Sequence, residues 1–200
     1  MEIRTGLSYG DALLVPQRSA VDSRSDIDLT ARLTPSLTLD IPLVSAAMDT
    51  VTEAETAAAL ADLGGLGVIH RFLSIEEQAR EVREVAEGGG PVAAAVGIDE
   101  DYLDRTEAIL EAGGDAVVLD VAHGHMERAL DAIAEIRAEY DPELIAGNVV
   151  TPDAVEDLYD SGADCVKVGV GPGSHCTTRE VAGAGYPQLS AVDECADRAD

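Results

Sequence analysis

Short apolar or β-branched runs recur at residues 42–45, 66–69, 92–96, 116–119, 144–146 and 165–168. Between them lie stretches with helical spacing of apolar positions, at 53–63, 75–86, 102–112, 126–140 and 154–160. The start-to-start interval stays close to one βα unit, and strand–helix alternation predicts an α/β fold with parallel strands. Local signals agree. Ser74 precedes Ile75 with Glu77 at the capping-box position, and Thr151 precedes Pro152 at a first helical turn. Gly113, Gly114 and Gly162 stand where a helix turns back into a strand. Residues 87–91 read as a flexible joint, and residues 191–200 as a helix cut off in mid-course. Six strands predict an incomplete (β/α)₈ barrel, since eight close the circle at about 250 residues. An open, doubly wound six-stranded sheet is the alternative.

Composition sharpens the class more than the chemistry. The 200 residues include 39 acidic and 13 basic ones, a formal net charge of −26. Phosphate backbones need a basic face, so no nucleic-acid partner is expected. No apolar run approaches the ~18–20 residues of a membrane span, and the N-terminus does not resemble a signal peptide, so no membrane is expected and a cytoplasmic location is. Only Lys167 is lysine. An acidic, Lys-poor surface suits a salt-loaded cytoplasm, where screening weakens self-repulsion. The three cysteines, Cys165, Cys176 and Cys195, show no CxxC spacing. That argues against a disulfide framework or zinc site and leaves room for a nucleophilic thiol. His70, His123, His125 and His175 are not at metal-ligand spacing.

The densest chemistry lies at 167–179, Lys-Val-Gly-Val-Gly-Pro-Gly-Ser-His-Cys-Thr-Thr-Arg. It follows the sixth run, at the end of the strand where barrel enzymes keep their active sites. Alternating Gly169, Gly171 and Gly173 let the backbone turn sharply around Cys176. Backbone dipoles and Arg179 would lower the thiol's pKa. A glycine-rich turn around a buried cysteine is the other reading of the same spacing. Asp120, closing an apolar run, needs a partner such as a ribose hydroxyl or a backbone amide. Asn148 after Gly147 fits either a ligand contact or a turn. Lys167 fits a functional role or a salt bridge across strands.

The segment resembles the active-site loop of the IMP dehydrogenase/GMP reductase family. The likeness extends through Gly-Asp-Ala-Leu-Leu-Val-Pro at 10–16, Ser-Ala-Ala-Met-Asp-Thr at 45–50, Gly-Val-Ile-His at 67–70, Asp-Val-Ala-His-Gly at 120–124, Ala-Gly-Asn-Val at 146–149 and Gly-Tyr-Pro-Gln-Leu-Ser-Ala-Val at 185–192. It implies one catalytic-barrel portion over 1–200, without the CBS regulatory insert, and covalent catalysis by Cys176 at C2 of a purine nucleoside monophosphate. Thr178 matches a proton-transfer residue. Ser174, Met48 and Asp49 match nucleotide contacts, and Asp120 and Asn148 match the side facing the riboses and the nicotinamide cofactor. Carbonyls of Gly171, Gly173 and Cys176 match ligands of a monovalent cation, potassium. A homotetramer is implied as well. The missing insert and the wording of 146–151 and 185–197 are similar to GMP reductase, which uses NADPH and is the leading expectation. Residues 45–53, 75–79, His123 and Arg71 favour the alternative, an NAD-dependent IMP dehydrogenase. A non-catalytic nucleotide-binding fragment is the third.

Overall fold

The computed structural model describes residues 5–198. After an extended N-terminal stretch, β1 (Ala31–Arg32) and β2 (Thr38–Leu39) form a small antiparallel pair. Then α1 (Ala54–Asp62), β3 (Gly67–Ile69), α2 (Ile75–Glu87), β4 (Val92–Val96), α3 (Tyr102–Glu111), β5 (Ala116–Asp120), α4 (Glu127–Tyr140), β6 (Leu144–Val149), α5 (Pro152–Asp160) and β7 (Cys165–Val168) alternate. Two helices follow, α6 (Thr178–Val181) and α7 (Gln188–Ala196).

Strands β3 to β7 pair in sequence order, all parallel. This is part of a (β/α)₈ barrel. The first apolar run, 42–45, does not become a full strand. Val44 bridges Leu66 in parallel, the Ser45 amide donates to the Leu66 carbonyl, and the Leu66 amide donates to that of Leu43. Pro42 has no amide hydrogen to extend that ladder.

Strand β4 is buried along its whole length because both faces are covered. Its Val92, Ala94 and Val96 face the helices with Val117, Leu119, Leu144 and Ala146, against Val82, Ile109, Ile133, Ile136 and Leu158. Its Ala93 and Ala95 face inward with Val68, Val118 and Ile145. The inner face is less complete: a cavity of about 290 Å³ lies among Leu33, Val44, Val68, Val118, Ile145 and Cys165.

The expected caps form. Ser74 Oγ accepts the Glu77 amide while Glu77 accepts the Ser74 amide, and Thr151 Oγ1 accepts the Ala154 amide. Gly113 and Gly162 turn with φ of 95° and 112°, whereas Gly114 does not need positive φ. The final helix begins earlier than expected, at Gln188, and ends at Ala196; the last two residues of the stretch expected to be helical, 199 and 200, lie outside the described residues.

Candidate active site

Parallel strands deliver their C-terminal ends to one side, and a cleft of about 520 Å³ opens there. Its wall takes Met48 from the loop before α1, Arg71 and Phe72 after β3, Asp120 to Ala122 at the end of β5, Asn148 on β6, and Lys167 to Pro172, Cys176 and Thr178 on and after β7. The folded chain therefore gathers Met48, Asp120, Asn148, Gly171, Cys176 and Thr178 on one surface. Ser174, Asp49 and Gly173 are not part of that lining. Gly173 instead borders an adjoining cavity with Arg179, Tyr186 and Gln188.

The loop after β7 turns where its sequence permits. Gly171 has φ of 71°, and a Cβ there would stand 2.8 Å from Arg179 Cγ. The Cys176 amide donates to the Gly173 carbonyl at 3.2 Å, closing a tight turn that aims the thiol at the cleft. Cys176 Sγ lies 3.3 Å from Thr178 Oγ1. Once the thiol ionises, that hydroxyl and the Thr178 amide donate to sulfur and hold the pKa below the ordinary thiol range, with Arg179 adding a weaker pull. The sequence pointed to Arg179 and backbone dipoles; the side chain two residues on contributes most.

Asp120 is held by two side chains that its sequence did not single out as its partners. Its Oδ1 accepts Lys167 Nζ at 2.7 Å and Asn148 Nδ2 at 3.4 Å. Asn148 Nδ2 also donates to the Val121 carbonyl, and the two loops exchange backbone bonds between Asn148 and Val121, and between Gly124 and Asn148. The chain's lone lysine thus forms the salt bridge across strands, on the wall of the cleft. The opposite wall was not legible in the sequence. There Phe72, 64% exposed, offers an aromatic face with the Arg71 guanidinium 5.2 Å from its centroid, and Arg71 also reaches Asp99 at 3.4 Å.

The sequence assigned no histidine to a metal, yet His70, Asp49 and Glu53 bring three potential ligand atoms within 4.8 Å of one another. The ring's hydrogen bonding speaks against an ion: Nδ1 accepts the Phe72 amide at 3.1 Å, which places the proton on Nε2, the atom facing the carboxylates.

A thiol poised beside a hydroxyl, at the mouth of a largely apolar cleft that also presents Asp120, Asn148 and Lys167, suits covalent attack on a flat electrophile. Residues 6–200 match the profile of the IMP dehydrogenase / GMP reductase domain. The chain belongs to that family. It is 38% identical to an inosine-5'-monophosphate dehydrogenase of Cryptosporidium parvum, over 96% of this chain and 58% of that relative. The figures for the enzyme of the same name from Borreliella burgdorferi are 38%, 94% and 59%. The Nitrosopumilus maritimus dehydrogenase is 32% identical over 98% of this chain and 67% of its own length. The chain thus spans about three fifths to two thirds of these relatives. The last alignment runs over 321 positions, so more than a hundred of them have no counterpart in these 200 residues. These relatives carry the dehydrogenase name, which favours the sequence's alternative over its leading expectation of a reductase. No helix among the described residues is long and apolar enough to cross a membrane.

Proposed function

We propose that this chain forms the nucleophile-bearing part of an IMP dehydrogenase, converting IMP, NAD and water to XMP and NADH. The observation that carries this reading is the Cys176–Thr178 pair at the mouth of a cleft that also presents Asp120, Asn148 and Lys167.

The Cys176 thiolate adds to C2 of the hypoxanthine, forming a carbon–sulfur bond as the C2–N3 double bond opens and N3 takes a proton; the double bond returns when hydride leaves. The nicotinamide cofactor, when bound, accepts the hydride that leaves C2. A water then attacks the same carbon, the sulfur departs as thiolate, and XMP is released. Thr178 sits where its hydroxyl stabilises the thiolate and relays a proton of the incoming water. Met48 lines the base end of the cleft, and Ser174 and Asp49 complete the nucleotide contacts. Asp120, held by Lys167 and Asn148, presents a carboxylate to ribose hydroxyls. Phe72 supplies an apolar face for a flat ring.

Carbonyls of Gly171, Gly173 and Cys176 on one tight turn are a donor set suited to a hard cation, potassium in this proposal. The Gly173 carbonyl already accepts the Cys176 amide, which leaves it one lone pair for an ion. The same proposal holds that the barrel portion lacks a regulatory insert between α2 and β4, where only residues 88–91 intervene, and that the protein assembles as a homotetramer.

The test is absorbance at 340 nm in high-potassium buffer, using the full polypeptide that carries this chain. A rise with IMP and NAD, abolished in Cys176→Ala, supports the dehydrogenase. A fall with GMP and NADPH, abolished by the same change, would replace it with the reductase.

A further inference from the structure

His70 follows β3, is 1% exposed, and does not line the cleft. Three anchors fix it. Its amide donates to the Thr52 carbonyl at 3.4 Å, its carbonyl accepts Gln78 Nε2 at 3.0 Å, and its Nδ1 accepts the Phe72 amide at 3.1 Å. A neutral imidazole has one acceptor and one donor nitrogen, so Nε2 carries the proton. That buried donor has no hydrogen-bond partner among the described residues. Glu53 Oε1 lies 3.6 Å away and Asp49 Oδ1 3.8 Å away. A metal ion would need the opposite tautomer, with a proton on Nδ1 pressed against the Phe72 N–H.

The loop over this ring forms one wall of the cleft. Ala46, Ala47 and Met48 line the cleft, while buried Thr52 donates its hydroxyl to the Ala46 carbonyl at 2.7 Å. The Val51 and Thr52 amides both return to the Met48 carbonyl. Between them Thr50, a β-branched residue, is held at φ of 60°, a conformation that marks stored strain. Asp49 sits next to Met48 in this strained loop. A shift of roughly half an ångström brings a carboxylate into hydrogen-bond range of Nε2. Satisfying a buried donor favours that shift.

We propose that His70 is a positioning residue: its Nε2–H captures the Asp49/Glu53 carboxylates when a nucleotide draws Met48 inward, and so locks the 46–53 loop against the bound base. The identity of the ligand rests on the function proposed above; the buried donor and the strained loop do not.

The experiment measures amide hydrogen exchange in this chain with and without IMP, for wild type, His70→Asn and His70→Gln. Glutamine places an amide N–H near the lost Nε2, whereas asparagine does not reach it. IMP is expected to slow exchange in 46–53 about tenfold in wild type and His70→Gln, and hardly at all in His70→Asn, whose IMP affinity falls about tenfold. Exchange in β4 to β6 should match in all three. Equal slowing in His70→Asn, or IMP binding to wild type without slowing the loop, overturns the proposal. If wild type binds no IMP, the nucleotide proposal fails instead. Exchange without ligand then decides the capture: faster in His70→Asn than in His70→Gln supports it, equal rates overturn it. Should His70→Asn not fold, the ¹⁵N shift of wild-type His70 Nε2 decides, moving when IMP is added if a carboxylate takes up its hydrogen and staying fixed if not.

Discussion

Strand β7 carries a cysteine at its start and leads into another just beyond its end, and the two live in opposite surroundings. Cys165 is packed against the inner face of the sheet beside Ile145 and Val118. Burial, and then the Asp164 carboxylate, push its pKa up. Cys176 hangs on a turn at the cleft mouth, where hydrogen bonds from Thr178 push its pKa down. Residue type is the same, and one strand leads from the first to the second. What moves the two thiols' pKa values in opposite directions is whether the fold supplies hydrogen-bond donors or hydrocarbon.

The difference can be broken most severely at Cys176 itself. Cys176→Ala should lower turnover at least ~10³-fold, since a covalent route has no substitute nucleophile here. Cys165→Ala should leave turnover within about threefold while lowering stability. Steady-state kinetics on both variants checks the pair. Thr178→Val comes next. It removes a donor to the thiolate, so the Cys176 pKa rises and turnover at neutral pH falls ~10²-fold. The sign follows from the lowered pKa. Thiolate is lost as pH falls through the folded-state value, so the wild-type acid limb lies below the ordinary thiol range and the variant's limb moves up. A pH–rate profile of each reads this directly.

Away from the cleft the effects are on stability. Ile136→Ala, on the face of α4 that is fully buried against the sheet, should cost about 2–5 kcal/mol in chemical denaturation. Gln78→Leu should cost about 1–3 kcal/mol. It strips donors from the His70 and Ala95 carbonyls and the acceptor from buried Arg105, leaving Arg105 only Leu73 and Asp101. Neither change should move the acid limb of the rate profile, and a shift in it would mean that core and cleft are not separable in this way.

The sheet and its helices were legible because their rules are local. Continuous apolar runs mark strands buried on both faces, and Ser74 with Glu77 marks a helix start through backbone amides three residues apart. The β1–β2 pair was not legible, since two residues per strand leave no periodicity to read. The run at 42–45 has the apolar pattern of a strand, yet most of its pairing capacity goes unused. The glycine loop and Cys176 stood out by composition and by family likeness together. Lys167 with Asp120, 47 residues apart, could be suspected from a lone lysine but not paired. His70 stood within a stretch of family likeness, but nothing in the sequence shows which of its ring nitrogens meets the Phe72 amide.

The assignment of Cys176 as the activated thiol of a nucleotide site is open to a direct experiment. Its most direct test is the rate of iodoacetamide labelling of Cys165, Cys176 and Cys195 against pH, resolved by peptide mass spectrometry with and without IMP. Cys176 should label first, by about tenfold or more at neutral pH, with its midpoint at the lowest pH of the three, and IMP should protect it alone. Labelling of Cys176 no faster than Cys165, or unchanged by saturating IMP, would contradict the assignment.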